Sequence, residues 1–238
     1  MLSILFSVLF LHVHAQQSDI GHEISIYKNA MQYADYEAAK NAVYSIIEKH
    51  PENNSYLDTL TRLYFAMGAN NQTIMAGNTC LKKDSGNKDI MEMVAIANAN
   101  LSRHMESMEM YKRLQAKTHS PYFAYQVAFH EYRLNNYEES SKTLEGIVLD
   151  AAADSQYITI TMGQDRSQRV PLKAAALNLL GVVQLQLHQD DKAKNNFDAA
   201  LKLQPDFVLA RENKAIADKA EEEKKNNTGQ VPSPAEKK

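Results

Sequence analysis

Residues 174 to 207, AAALNLLGVVQLQLHQDDKAKNNFDAALKLQPDF, hold two apolar stripes at helical spacing with a polar turn between them. Leu177, Leu180, Gly181 and Leu185 share one face of a first helix, and Ala193, Phe197, Ala200 and Leu201 share one face of a second. His188-Gln189-Asp190-Asp191 supplies the turn, and Pro205 stops the second helix because proline brings no N–H to the ladder. Gly181 and Ala193 are small where the two helices must approach closely. One such helix pair leaves an apolar face open to water, so the rest of the chain must supply copies that stack on it.

The copies are legible upstream. Pro121 to Asp154 carries Ala128 in the place of Gly181, then Asn136-Tyr137-Glu138-Glu139-Ser140, Leu144 and Ile147. Lys88 to Pro121 carries Ala95, Ser107, Tyr111 and Leu114. Asn54 to Asn87 is the faintest copy, with Leu57, Leu60, Tyr64, Thr73 and Cys80. Ile20 to Asn53 is clear again, with Ala34-Asp35-Tyr36-Glu37-Ala38-Ala39, Ile46 and Pro51. Starts at 20, 54, 88 and 121 lie 33 or 34 residues apart. The order of leucine, glycine, alanine, phenylalanine, alanine and proline in the last copy resembles the tetratricopeptide repeat (TPR), a helix–turn–helix unit of about 34 residues. Leu177 and Gln184 stand where that family carries Trp and Tyr. The resemblance implies an all-α, right-handed superhelix of five helix pairs, with repeats at about 20–53, 54–87, 88–120, 121–154 and 174–207.

Residues 155–173 break the helical phase. Tyr157-Ile158-Thr159-Ile160-Thr161-Met162 is β-branched and alternating, the pattern of a half-exposed strand. Gly163-Gln164-Asp165 offers turn chemistry and Ser167 to Leu172 a second strand, so a β-hairpin insert is expected. Insertions into repeat arrays cluster on one face, often the binding face, or they merely cover helical surface; both roles stay open. Residues 208–225 read as an amphipathic capping helix, and 226–238 as a polar, proline-containing disordered tail.

Residues 1–15, MLSILFSVLFLHVHA, form an apolar run shorter than the ~20 residues that span a bilayer. Val13-His14-Ala15 offers small-residue cleavage chemistry before a polar stretch, although the α-amino group is the only positive charge ahead of it. A signal peptide cut between Ala15 and Gln16 is expected, with export to the periplasm or cell envelope of a Gram-negative bacterium and no membrane span in the mature protein. No cysteine directly follows the run to carry a lipid. The net charge of −3 gives no basic footprint for nucleic acid. Cys80 is the only cysteine, which excludes an internal disulfide, and it falls at the small packed position of Ala200.

Chemistry-bearing motifs fail on spacing. His130-Glu131 would need a histidine at 134 to make a zinc-protease pair, and Leu134 stands there; His22-Glu23 meets Ile26. No phosphate-binding glycine loop or nucleophile elbow occurs, so neither metal nor cofactor nor catalytic residue is expected. The TPR resemblance implies instead a groove, lined by the first helix of each pair, that holds a peptide or protein. The second, fifth, ninth, twelfth and thirteenth positions of a repeat face that groove in the family. In the fourth repeat they are Tyr122, Tyr125, Phe129, Tyr132 and Arg133, an aromatic stripe ending in arginine. The competing reading buries these rings as core. A carboxylate clamp for acidic C-termini, known in some members, is disfavoured, since its places read Ile24 and Lys28, Asp58 and Arg62, Glu92 and Ile96. The expectation is a non-enzymatic interaction scaffold; the alternative is an enzyme or ligand-sensing accessory subunit with a small-molecule site near the hairpin.

Overall fold

The computed structural model describes residues 20–53, 55–162 and 166–228. The expected signal segment with its Ala15–Gln16 junction, the hairpin turn 163–165 and the tail beyond residue 228 lie outside the described residues. The chain divides into two compact units, up to Met110 and from Tyr111 onward, the boundary falling within a helix. Apart from one hairpin, the regular elements among the described residues are helical, as the sequence pattern requires.

The first unit carries α1 (residues 20–32), α2 (Tyr36–Lys49), α3 (Ser55–Ala66), α4 (Asn70–Lys83), α5 (Lys88–Asn100) and the start of α6 (His104–Thr118). Asp35 caps α2 by accepting from the Ala38 N–H at 3.0 Å, and Asn87 caps α5 by accepting from the Ile90 N–H at 3.2 Å. Ala30, Ala39, Val43, Leu60 and Leu63 form a core, with the rings of Tyr27, Tyr36, Tyr56 and Tyr64 packed half-buried against it. A Cβ on Gly77 would lie 2.4 Å from the Val94 side chain, so the absence of one sets how closely α4 meets α5. Cys80 is buried, 3.6 Å from the Thr61 hydroxyl, and burial pushes its thiol up to about 11. The reading of a packed, unreactive cysteine holds.

The second unit takes the rest of α6, then α7 (Pro121–Arg133), α8 (Tyr137–Leu149), a 3-10 turn at Ala151–Ala153, β1 (Tyr157–Met162), β2 (Arg166–Pro171), α9 (Leu172–Gln186), α10 (Asp190–Leu203) and α11 (Val208–Thr228). Its core joins Ala128, Leu144 and Ile147 to Val170, Leu172, Leu180, Val183 and Phe207. Phe197 is fully buried with Ala193 and Ala217. A Cβ on Gly181 would sit 2.5 Å from the Phe197 ring, which explains the small residue expected there. On α11, Lys214 pairs with Asp198 of α10, and Lys194 of α10 pairs with Asp218 and Glu221. That helix runs to Thr228, so the first three residues of the expected disordered tail are helical.

Five turns carry the repeat in their backbone geometry. Ala34, Gly68, Ser102, Asn135 and His188 each take a left-handed φ between 54 and 68°. The residue after each donates its N–H to the carbonyl five positions back, always at 2.9 Å: Asp35 to Ala30, Ala69 to Tyr64, Arg103 to Asn98, Asn136 to Glu131 and Gln189 to Gln184. This is the Schellman closure of a helix C-terminus. It recurs at the spacing of the sequence copies, and four of the five turns achieve it without glycine.

The hairpin pairs Tyr157 with Pro171 through Met162 with Arg166, antiparallel. Ile158 and Val170 are buried, while Tyr157, Thr159 and Thr161 point outward, the alternation expected of a strand with one face on a core. The second strand begins at Arg166 and ends at Pro171, not at Leu172. Pro171, with φ −56°, already turns the chain, and the fully buried Leu172 opens α9 two residues ahead of Ala174.

Candidate functional site

The aromatic stripe lies on α7, which starts with Pro121 at its first turn, where a missing N–H costs nothing. Tyr122, Tyr125, Gln126 and Phe129, spaced for one helical face, line one wall of a cleft of about 410 Å³. The opposite wall is β1, through Ile158, Thr159, Ile160 and Thr161. The rings are half-buried, their inner edges packed against the core of the second unit. They are thus neither free groove residues nor sealed core, and each competing reading describes one side of the same ring.

The five expected groove residues separate into two groups. Tyr122, Tyr125 and Phe129 meet in the cleft; Tyr132 and Arg133 do not line it. Tyr132 leans on Tyr137 of α8, with centroids 6.0 Å apart, and Arg133 is exposed at the end of α7. The sequence reading missed Gln126 and the β1 residues as lining. The alternation of 157–162 marked them as strand, but nothing in one sequence says which helix a hairpin lies against. Burial pushes the Tyr125 phenol well above the usual tyrosine range, and no group among the described residues hydrogen-bonds its hydroxyl. The hydroxyl is not among the buried polar atoms left without a partner, so it stays open to solvent and to a polar atom of a bound partner.

The hairpin is a fixed wall. Gln168 of β2 donates to the Asp206 carbonyl at 2.9 Å and accepts from the Val208 N–H at 3.0 Å. Gln204 donates to the Arg169 carbonyl at 3.4 Å, and Arg169 covers the Tyr157 ring at 4.6 Å. One edge of the hairpin is therefore bolted to the α10–α11 turn, and the other edge faces the aromatic stripe.

A second cleft, of about 490 Å³, lies among α6, α7 and α8 and includes His119, Glu131, Glu139, Lys142 and Asp150. His119, Glu139 and Lys142 are solvent-exposed. Glu131 is buried but accepts from Thr143 at 3.0 Å and sits 3.5 Å from Lys112. Its counterpart in the next repeat, Gln184, makes the same link twelve residues on, accepting from Asn196 at 2.7 Å. Glu131 is thus a helix-pairing residue of the repeat, and its neighbour His130 is buried in a stack against Tyr111 with centroids 5.7 Å apart. Among the clamp positions, Asp58 accepts from Asn87 at 2.8 Å and Arg62 pairs with Asp89 at 2.9 Å. Among the described residues no group of three or more His, Cys, Asp or Glu could hold a metal ion, and no helix is long and apolar enough to cross a membrane.

This arrangement, helix pairs closed by one repeated turn, defines the fold of a TPR protein with an inserted β-hairpin. Solved TPR structures resemble it in overall fold. YrrB, described as a TPR protein with an unusual peptide-binding site, superposes with a TM-score of 0.66 at 14% identity, over 87% of this chain and 97% of its own. A TPR protein from Parabacteroides merdae gives 0.65 at 14% identity over 84% and 72% of the two chains, and MamA gives 0.63 at 14% identity over 79% and 93%. No family model matches the chain. No curated protein matches it in sequence.

Proposed function

We propose that the protein is a non-enzymatic binding module that docks a peptide or a peptide-like segment of a partner protein in the α7–β1 cleft. The observation that carries this is the meeting of Tyr122, Tyr125 and Phe129 with β1 around an open cleft that no charged side chain lines among the described residues. Aromatic anchors in a walled, half-dry surface are the usual source of binding energy in such interfaces. The peptide-binding site of YrrB, on the same fold, supports the reading. Among the described residues, Tyr122 and Tyr125 are the only titratable groups on the cleft's walls, which favours binding over an enzyme or a small-molecule sensor at the hairpin. The sequence of residues 1–15 and the Ala15–Gln16 junction support export, so the partner would be met in the periplasm or cell envelope.

The test uses a peptide selected on the purified protein from a phage-displayed library of random dodecapeptides. Calorimetry should show Tyr125→Ala weakening that peptide by about 2 kcal/mol, roughly thirtyfold. Tyr132→Ala, outside the cleft, should stay within about twofold of wild type. Equal affinity of wild type and Tyr125→Ala would place the binding surface elsewhere.

A further inference from the structure

The hairpin's two outer edges differ in a way that specifies how a ligand would lie. Leu172 donates its N–H to the Gln156 carbonyl at 2.8 Å, one step beyond the Tyr157–Pro171 pair. Hydrogen-bonded and non-hydrogen-bonded pairs alternate along an antiparallel ladder. The bonded pairs are therefore Ile158 with Val170, Ile160 with Gln168 and Met162 with Arg166. Pro171, which has no N–H, falls on a non-bonded pair, as it must. It follows that the N–H and C=O groups of Tyr157, Thr159 and Thr161 point away from β2, toward the outer edge of β1. No group among the described residues takes them up.

The outer edge of β2 is occupied, by Gln204 on the Arg169 carbonyl and by Pro171 itself. Among the described residues, the outer edge of β1 is bare. It carries none of the devices that blunt an exposed edge: no lysine, no proline and no charge interrupts Tyr-Ile-Thr-Ile-Thr-Met. This edge, not the flat of the hairpin, faces the cleft. The lining includes inward Ile158 and Ile160 together with outward Thr159 and Thr161, and no β2 residue.

We propose that the ligand binds by strand addition: an extended, uncharged segment of a partner protein pairs its backbone with Thr159 and Thr161. Every second side chain of that segment, apolar, then lies on Tyr122, Tyr125 and Phe129. This deepens the reading of the cleft as the docking site and rests on it. The backbone groups from Tyr157 to Thr161 extend about 13 Å at ~3.3 Å per residue, which suits a segment of about five residues with two or three inward side chains. Main-chain pairing supplies affinity in this mode and the aromatic wall supplies selectivity.

The experiment follows amide hydrogen exchange in the full chain, by NMR, with and without the phage-selected dodecapeptide. Exchange at Thr159 and Thr161 should slow by about tenfold or more on saturation, the equivalent of ~1.4 kcal/mol of added protection. Thr159→Pro removes an outward N–H while sparing the β1–β2 ladder, and should lose peptide binding with the hairpin's cross-strand contacts intact. Binding that depends on Tyr125 but leaves exchange at both threonines unchanged would overturn strand addition and spare the cleft reading. Binding indifferent to Tyr125→Ala, or a library that yields no peptide, would overturn both. Protection that rises with protein concentration in the absence of peptide would assign the edge to a second copy of the chain, against the proposal.

Discussion

Helices α7 and α9 occupy the same place in consecutive repeats, yet they meet water differently. In α9, Leu172, Ala174 to Gly181, Val183 and Gln184 are all buried. It is apolar nearly all round, the composition of a helix enclosed on every side, and its neighbours are α7, α8, α10, α11 and both strands of the hairpin. In α7 the buried residues are Pro121 at its start and then Ala124, Val127, Ala128, His130 and Glu131, and the tyrosines and Phe129 are left half-covered. The hairpin explains the difference. It lies on α9 and leaves its bare edge toward α7, so covering one helix creates a wall for the other. Small side chains suit the covered helix and large amphipathic rings the open one.

Two phenylalanines test this contrast most strongly. Phe197 is fully buried against Gly181, so Phe197→Ala should cost about 3–5 kcal/mol, read from urea unfolding. Phe129→Ala, at a half-buried ring on the cleft wall, should cost only about 1–2 kcal/mol. Equal losses would mean that the α7 rings are core and the cleft is closed in solution.

A smaller effect is expected at the hairpin's anchor. Gln168→Ala deletes the bonds to the Asp206 carbonyl and the Val208 N–H and should lower stability by about 1–2 kcal/mol. It should also weaken the selected peptide, because the wall is then loosened. Unchanged melting and unchanged binding together would reduce the hairpin to a passive cover.

The periodic skeleton was legible because packing demands small residues at fixed places. Gly181 against Phe197, and Ala128 beneath the Ser140 hydroxyl that bonds its carbonyl at 2.8 Å, are visible as sequence spacing. The turns were less so: the polar run at His188 marked one, but Ala34 and Ser102 adopt a left-handed φ that neither residue type announces as glycine or asparagine would. The hairpin was legible from its alternation, whereas its contact with α7 depends on tertiary placement. For the same reason Tyr132 was grouped with Tyr125 by helical position, although its ring leans on Tyr137 instead. Position along a helix says which face a side chain takes, and only the neighbouring element decides whether that face is a site.

The most direct test of the central claim, that the α7–β1 cleft is the docking site, is a crystal structure of the full chain with the phage-selected peptide. The account expects the peptide between β1 and the rings of Tyr122, Tyr125 and Phe129. A peptide bound on another surface, with this cleft left empty, would contradict it.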